Sequence, residues 1–182
     1  LLGSRFAALL ALSTALCLVI AELVVRTLLP QWSDQWKMWR LDPVWALGLK
    51  AGVDTAVVHG HSREFAFHFR TNAQGLRMDA DLAPTPAPGK QRALFVGDSF
   101  TFGYGVEQDE SFTARLQQRF DARGEPVEAI NAGFASGFTL YTEYLFTREQ
   151  GASWQPSRVI AGVCLSNDLV DLGETRWRVV NG

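Results

Sequence analysis

The feature that most constrains this chain is an uncharged run close to its start. From Phe6 to Ala21 the sequence FAALLALSTALCLVIA carries no charge, and beyond Glu22 the apolar character resumes through Leu23, Val24 and Val25. That supplies about the ~20 residues a helix needs to cross the hydrocarbon of a bilayer. The run exceeds the apolar core of a cleaved signal peptide, and no small-x-small cleavage site follows it before Arg26. An uncleaved single-pass anchor at residues 1–29, with membrane lipid as its partner, is therefore the expectation. A lipoprotein centred on Cys17 is excluded, because Leu16 is bulky where a small residue is required and the apolar run continues past the cysteine. Glu22 can pair with Arg26 one turn later, which limits the cost of a carboxylate near the end of the span.

Beyond Pro30, Trp32, Trp36 and Trp39 recur at helical spacing. They predict a short helix with three indoles on one face, lying at headgroup depth or packed as an ordinary amphipathic helix on the following domain. The visible charges favour Arg26, Lys37 and Arg40 over Arg5, which taken alone would put the rest of the chain in the cytoplasm.

Composition then narrows the function classes. With 182 residues, 47% of them hydrophobic, the chain can hold one packed domain plus an extra element. A net charge of −2 without a basic run leaves no electrostatic footprint for DNA or RNA. Cys17 and Cys164 fall in different expected environments, a lipid-like stretch and a core strand, so neither a disulfide framework nor a zinc cluster can be built from them.

Between Val53 and Arg70 the pattern becomes that of strands. Phe65, Phe67 and Phe69 alternate with Glu64, Ala66, His68 and Arg70, and His59-Gly60-His61-Ser62 reads as the turn of a β-hairpin. His59 and His61 find no third ligand at metal-binding spacing and read as turn residues. The stretch DLAPTPAPGK, residues 81–90, reads as a semi-rigid connection. Residues 30–90 are thus expected to hold the interfacial helix, the hairpin and this linker, with a separate domain beginning at residue 91.

From Gln91 onward, strand and helix signals alternate. Ala93–Val96 is a short apolar run ending at Gly97. Phe112, Leu116 and Phe120 mark one face of a helix, and Val127–Ile130 is a second strand. Phe138–Phe146 is an aromatic helical stretch, and Val159–Leu165 is a third strand of buried type. This order predicts an α/β fold with a parallel sheet and crossover helices. Ligands bind such sheets outside the carboxyl ends of the strands. The loops expected there are Gly97–Gly105, Asn131-Ala132-Gly133 and Ser166-Asn167-Asp168. Ser99, after a tight turn at Gly97, could expose its hydroxyl as a nucleophile. The backbone N–H groups of Ser99 and Gly133 and the side-chain amide of Asn167 could converge on the oxyanion that its attack creates.

Three segments carry a family resemblance. LFVGDSFTFGYGV, INAGFASG and CLSNDL resemble blocks I, II and III of the SGNH (GDSL-type) serine hydrolases and acyltransferases, and TNAQGLR resembles the lead-in of membrane-anchored bacterial members. The likeness covers Gln91 to Leu172, and Leu165 departs from it where glycine is usual. It implies a flavodoxin-like, three-layer α/β/α fold with Ser99 as the catalytic nucleophile and an oxyanion hole of Ser99, Gly133 and Asn167. Asp98 and Asp168 would be site-supporting, Asp98 organising the turn rather than serving as base. The implied activity is ester hydrolysis or O-acyl transfer through an acyl-serine, with no metal or organic cofactor. An acyl ester of cell-envelope carbohydrate or lipid would be the substrate, and the domain would lie outside the cytoplasm, against the visible charge count.

The same resemblance calls for an Asp-x-x-His block near the C-terminus, yet no histidine follows His68. The expectation is a chain that is one part of a longer protein, whose remaining part supplies that pair and further strands. As given, it would hydrolyse esters very weakly. A contribution from His59, His61 or His68 is the second reading, and a catalytically inactive binding subunit of an envelope assembly is the third. A nucleotide site at the glycine-rich GDSFTFGYG loop ranks last, since it lacks the lysine of a P-loop and the spacing of a dinucleotide fingerprint.

Overall fold

The computed structural model describes residues 2–28, 38–59, 65–134, 139–166 and 168. It comprises two compact units, residues 1–37 and 38–182.

The first unit holds helix α1 (Leu2–Leu28). Its segment Arg5–Leu28 has a mean hydropathy of 2.5 over the most apolar stretch and is long and apolar enough to cross a membrane. Four of its polar side chains bond within the helix and a fifth, Glu22, accepts from one of them. Ser13 and Thr14 both donate to Leu10 O at 2.9 Å, and Thr27 donates to Leu23 O at 2.8 Å. Arg26 Nε meets Glu22 Oε1 at 2.7 Å, the expected pair one turn apart. In hydrocarbon, every polar group needs such an internal partner. Trp32 and Trp36 lie outside the described residues.

The second unit opens with two hairpins. Strand β1 (Trp39–Asp42) pairs antiparallel with β2 (Ala46–Leu49). Trp39 is thus a strand residue opposite Leu49, which corrects its expected place on a helix. The turn at Asp42 explains the change, because Asp42 Oδ1 accepts the Val44 N–H at 2.9 Å and closes a hairpin no helix can continue through. Strand β3 (Asp54–His59) pairs with β4 (Phe65–Arg70), as the alternation predicts. Phe67 and Phe69 are buried, while His68 faces the other way and pairs with Asp54. Gly60, His61 and Ser62 of the expected turn lie outside the described residues.

The third sheet is parallel and mixed with helices: β5 (Gln91–Gly97), β6 (Val127–Gly133) and β7 (Arg158–Gly162), in the order β6-β5-β7. The short helix α2 (Ser99–Phe102) follows β5, α3 (Phe112–Ala122) leads to β6, and α4 (Leu140–Glu149) leads to β7. The second strand runs three residues further than expected, so Asn131, Ala132 and Gly133 belong to it rather than to a loop. The third strand is shorter than expected and not buried: Val159 is 48% exposed, and β5 is its one strand partner among the described residues. Cys164 lies beyond its end rather than inside it.

The proline-rich stretch does not separate two cores. Trp45, Leu76 and Leu82 share one apolar cluster with Leu94, Val96 and Phe146. A second cluster joins Phe67 and Phe69 of the hairpin to Phe102 of α2, with Phe69 and Phe102 edge-to-face at 5.2 Å. The described residues between 38 and 90 therefore form part of the same body as the sheet, and Phe67 and Phe69 among them pack against the turn that carries Ser99. At the opposite end of the sheet the buried Arg92 ties the stretch down, donating to Glu128 at 2.7 Å, Trp154 O at 2.9 Å and Ala83 O at 2.9 Å.

Candidate active site

The carboxyl ends of all three parallel strands are glycines in register: Gly97 lies opposite Gly133 on one side and Gly162 on the other. A Cβ on Gly133 would overlap the backbone N of Phe102, and one on Gly97 or Gly162 would overlap the Thr101 hydroxyl. Gly97 also has φ of +156°, a region that disfavours a side chain. The row of glycines thus lets α2 sit directly on the strand ends, with Thr101 and Phe102 buried beneath it.

This seat sets the position of Ser99. Asp98 is buried and caps α2, its carboxylate accepting the Phe100 N–H at 2.9 Å. Asp98 O and Ser99 O then accept the N–H groups of Phe102 and Gly103 at 2.9 and 3.0 Å. Ser99, half-buried at the first position of the turn, keeps its own N–H and hydroxyl without a hydrogen-bond partner among the described residues. A serine so placed keeps both a donor and a hydroxyl that the turn itself does not use. Asp98 holds the turn as its N-cap.

Of the three expected oxyanion donors, the Ser99 and Gly133 amides lie among the described residues. Ser99 N–H is available, but the Gly133 N–H donates to Asn131 Oδ1 at 3.0 Å, inside the protein. Gly133 therefore serves as a seat for α2, and its amide is already committed. Asn131 holds the arrangement from below, donating to Thr113 Oγ1 at 2.9 Å and Phe102 O at 3.3 Å. Asn167 lies outside the described residues. Its neighbour Asp168 is fully buried and closes the turn after β7, accepting the Cys164 N–H at 2.7 Å.

No described histidine faces Ser99. His68 projects from β4 on the face opposite Phe67 and Phe69, the residues that touch α2, and its imidazole meets Asp54. The side chain of His59 and all of His61 lie outside the described residues. Among the described residues no group of acids, histidines and cysteines is arranged to hold a metal.

Two further buried ionisable residues stand near the Ser99 turn. Glu143 on α4 is 2% exposed, and neither carboxylate oxygen has a hydrogen-bond partner among the described residues. Burial, then the negative charges of Asp168 and Asp98, push its pKa up to about 8. At neutral pH it is thus a neutral acid near both aspartates of the site. Arg77 is the other, a buried guanidinium under α2. It ends the TNAQGLR segment, so a signal for it was present in the sequence, though not for its target.

No family model matches this chain, and no curated protein matches it.

Proposed function

We propose that the chain carries the nucleophile of an SGNH-type serine ester hydrolase or O-acyltransferase, built on the flavodoxin-like, three-layer version of its α/β fold. The observation that carries this reading is the Ser99 hydroxyl, without a partner among the described residues, on a capped turn seated by three glycines at the carboxyl end of the central strand. That is the placement α/β enzymes use for chemistry on bound ligands.

In this reading the Ser99 oxygen attacks the acyl carbonyl, the ester C–O bond breaks, and the alcohol leaves with a proton. The acyl group then passes from Ser99 to water or to an acceptor hydroxyl. Ser99 N–H and the Asn167 amide stabilise the oxyanion, each donor contributing on the order of 100-fold or more in rate. The Gly133 amide would join them only by releasing Asn131. The base belongs to an Asp-x-x-His pair, which this sequence does not contain. Helix α1 is long and apolar enough to tether such an enzyme to a membrane; in this reading, by the family resemblance alone, the domain acts outside the cytoplasm on acyl esters of envelope carbohydrate or lipid.

The test is release of 4-nitrophenol from 4-nitrophenyl acetate by membranes holding the full-length protein, wild type against Ser99→Ala. Turnover that disappears in the variant supports the reading. Equal turnover in both, at the level of protein-free membranes, favours a silent binding subunit.

A further inference from the structure

The side chain of Arg77 enters from the connection between β4 and β5 and ends beneath α2, and the proposed chemistry leaves it without a task. It is 3% exposed. Nη1 donates to Phe102 O at 3.0 Å and to Gly103 O, Nη2 donates to Val106 O at 2.7 Å, and Nε donates to Gln108 Oε1 at 3.1 Å. Its guanidinium lies 4.7 Å from the centre of the Phe102 ring and within 6 Å of the Phe67 and Phe69 rings. No carboxylate among the described residues accepts a hydrogen bond from it; the nearest charge effect is that of Glu107.

Burying a cation without a bonded carboxylate is unfavourable, and burial lowers the Arg77 pKa to about 10, which still leaves it charged at neutral pH. The cost is offset by what the fork reaches. The last carbonyls of a helical turn have no partners of their own, and a planar guanidinium can take several at fixed angles where an ammonium cannot. Arg77 grips the far end of the turn whose near end is Ser99. Asp98 and the glycine row fix the near end; Arg77, with Asn131, fixes the other.

We propose that Arg77 is the positioning residue for Ser99, setting the tilt of α2 by binding the Phe102, Gly103 and Val106 carbonyls together. The proposal rests on Ser99 being the nucleophile. It extends that reading by assigning a function in the site to Arg77, which lies outside the three motifs.

The experiment uses the full-length protein in membranes or detergent, with Arg77→Lys as the variant because it keeps the charge and loses the fork. Two readouts are taken. The first is hydrogen exchange at the amides of Phe102, Gly103 and Tyr104, which bond to Asp98 O and Ser99 O. The second is the rate of labelling by a fluorophosphonate, in which a Ser99 Oγ–P bond forms, the P–F bond breaks, and fluoride leaves as the serine proton passes to base. The expected result is exchange about 10-fold faster at those three amides, with β5 and β6 unchanged. Maximal labelling should slow about 10- to 100-fold at unchanged probe affinity. Should Arg77→Lys fail to fold, Gln108→Ala removes one of the four bonds and should show the same pattern at smaller amplitude. Exchange that is unchanged, or faster everywhere alike, overturns the proposal, as does a labelling rate equal to wild type. Loosened amides in a protein that never labels would instead defeat the nucleophile reading and leave the grip of Arg77 on the turn standing.

Discussion

The two ends of the parallel sheet are held by two buried arginines, and they are held differently. At the amino end Arg92 has a carboxylate, Glu128, at 2.7 Å, and carbonyls from Trp154 and the proline-rich stretch complete its set. At the carboxyl end Arg77 has carbonyls and aromatic rings but no bonded carboxylate. Close by stand Glu143, a buried acid with no hydrogen-bond partner among the described residues, and three strand-end glycines at which an added Cβ would overlap Thr101 or Phe102. Unfavourable features gather at one end of the same sheet. Proteins retain such features where a site needs groups held in a fixed arrangement, so the contrast itself separates scaffold from site.

The contrast can be broken in order of expected effect. Arg92→Ala should be the most damaging to stability, costing about 3–5 kcal/mol by leaving Glu128 and several carbonyls without their donor. A denaturant midpoint measures it, and the loss should spread through the unit rather than fall on the α2 turn. Gly133→Ala should cost less, about 1–3 kcal/mol as overpacking, but should displace α2 and abolish fluorophosphonate labelling. A Gly133→Ala protein that labels normally would detach the glycine row from the site.

Glu143→Gln sharpens the comparison through pH. The folded protein holds the Glu143 proton up to about pH 8, whereas the unfolded chain releases it near pH 4.5. Wild-type stability from this group is therefore full below about pH 4.5, falls as pH rises towards 8, and levels off above it. Glutamine removes that slope, so its gain over wild type should grow between pH 5 and pH 8 in thermal melts. A constant difference across that range would mean the carboxyl ionises normally. Smallest is Asp98→Ala, expected to cost about 1 kcal/mol through loss of the α2 cap, read by urea titration.

Much of this arrangement was legible beforehand, for identifiable reasons. The alternation of Phe65, Phe67 and Phe69 gave the hairpin because period two admits few other structures, and the apolar run gave α1. Gly97-Asp98-Ser99 placed a capped turn after the central strand, which is where it lies. The role of Gly133 was not legible, because a glycine in Asn-Ala-Gly can equally offer its amide to a ligand or its missing Cβ to a neighbour; the close approach of Phe102 and the bond to Asn131 decide for the second. Trp39 lies on a strand and not on the expected helix because a single aspartate, Asp42, closes the β1–β2 turn, and one residue is a weaker signal than three tryptophans at helical spacing. Arg77 and Glu143 matter through partners 25 or more residues away, and no local pattern encodes such partners.

The central claim is that Ser99 is an activated nucleophile, and the most direct test locates a covalent adduct on it. Full-length protein in membranes is treated with a fluorophosphonate, digested, and the peptide spanning residues 93–115 is weighed by mass spectrometry beside that of Ser99→Ala. A phosphonate on Ser99 that is absent from the variant is the predicted result. An unmodified peptide, in a sample where an added serine hydrolase reacts fully, would contradict it.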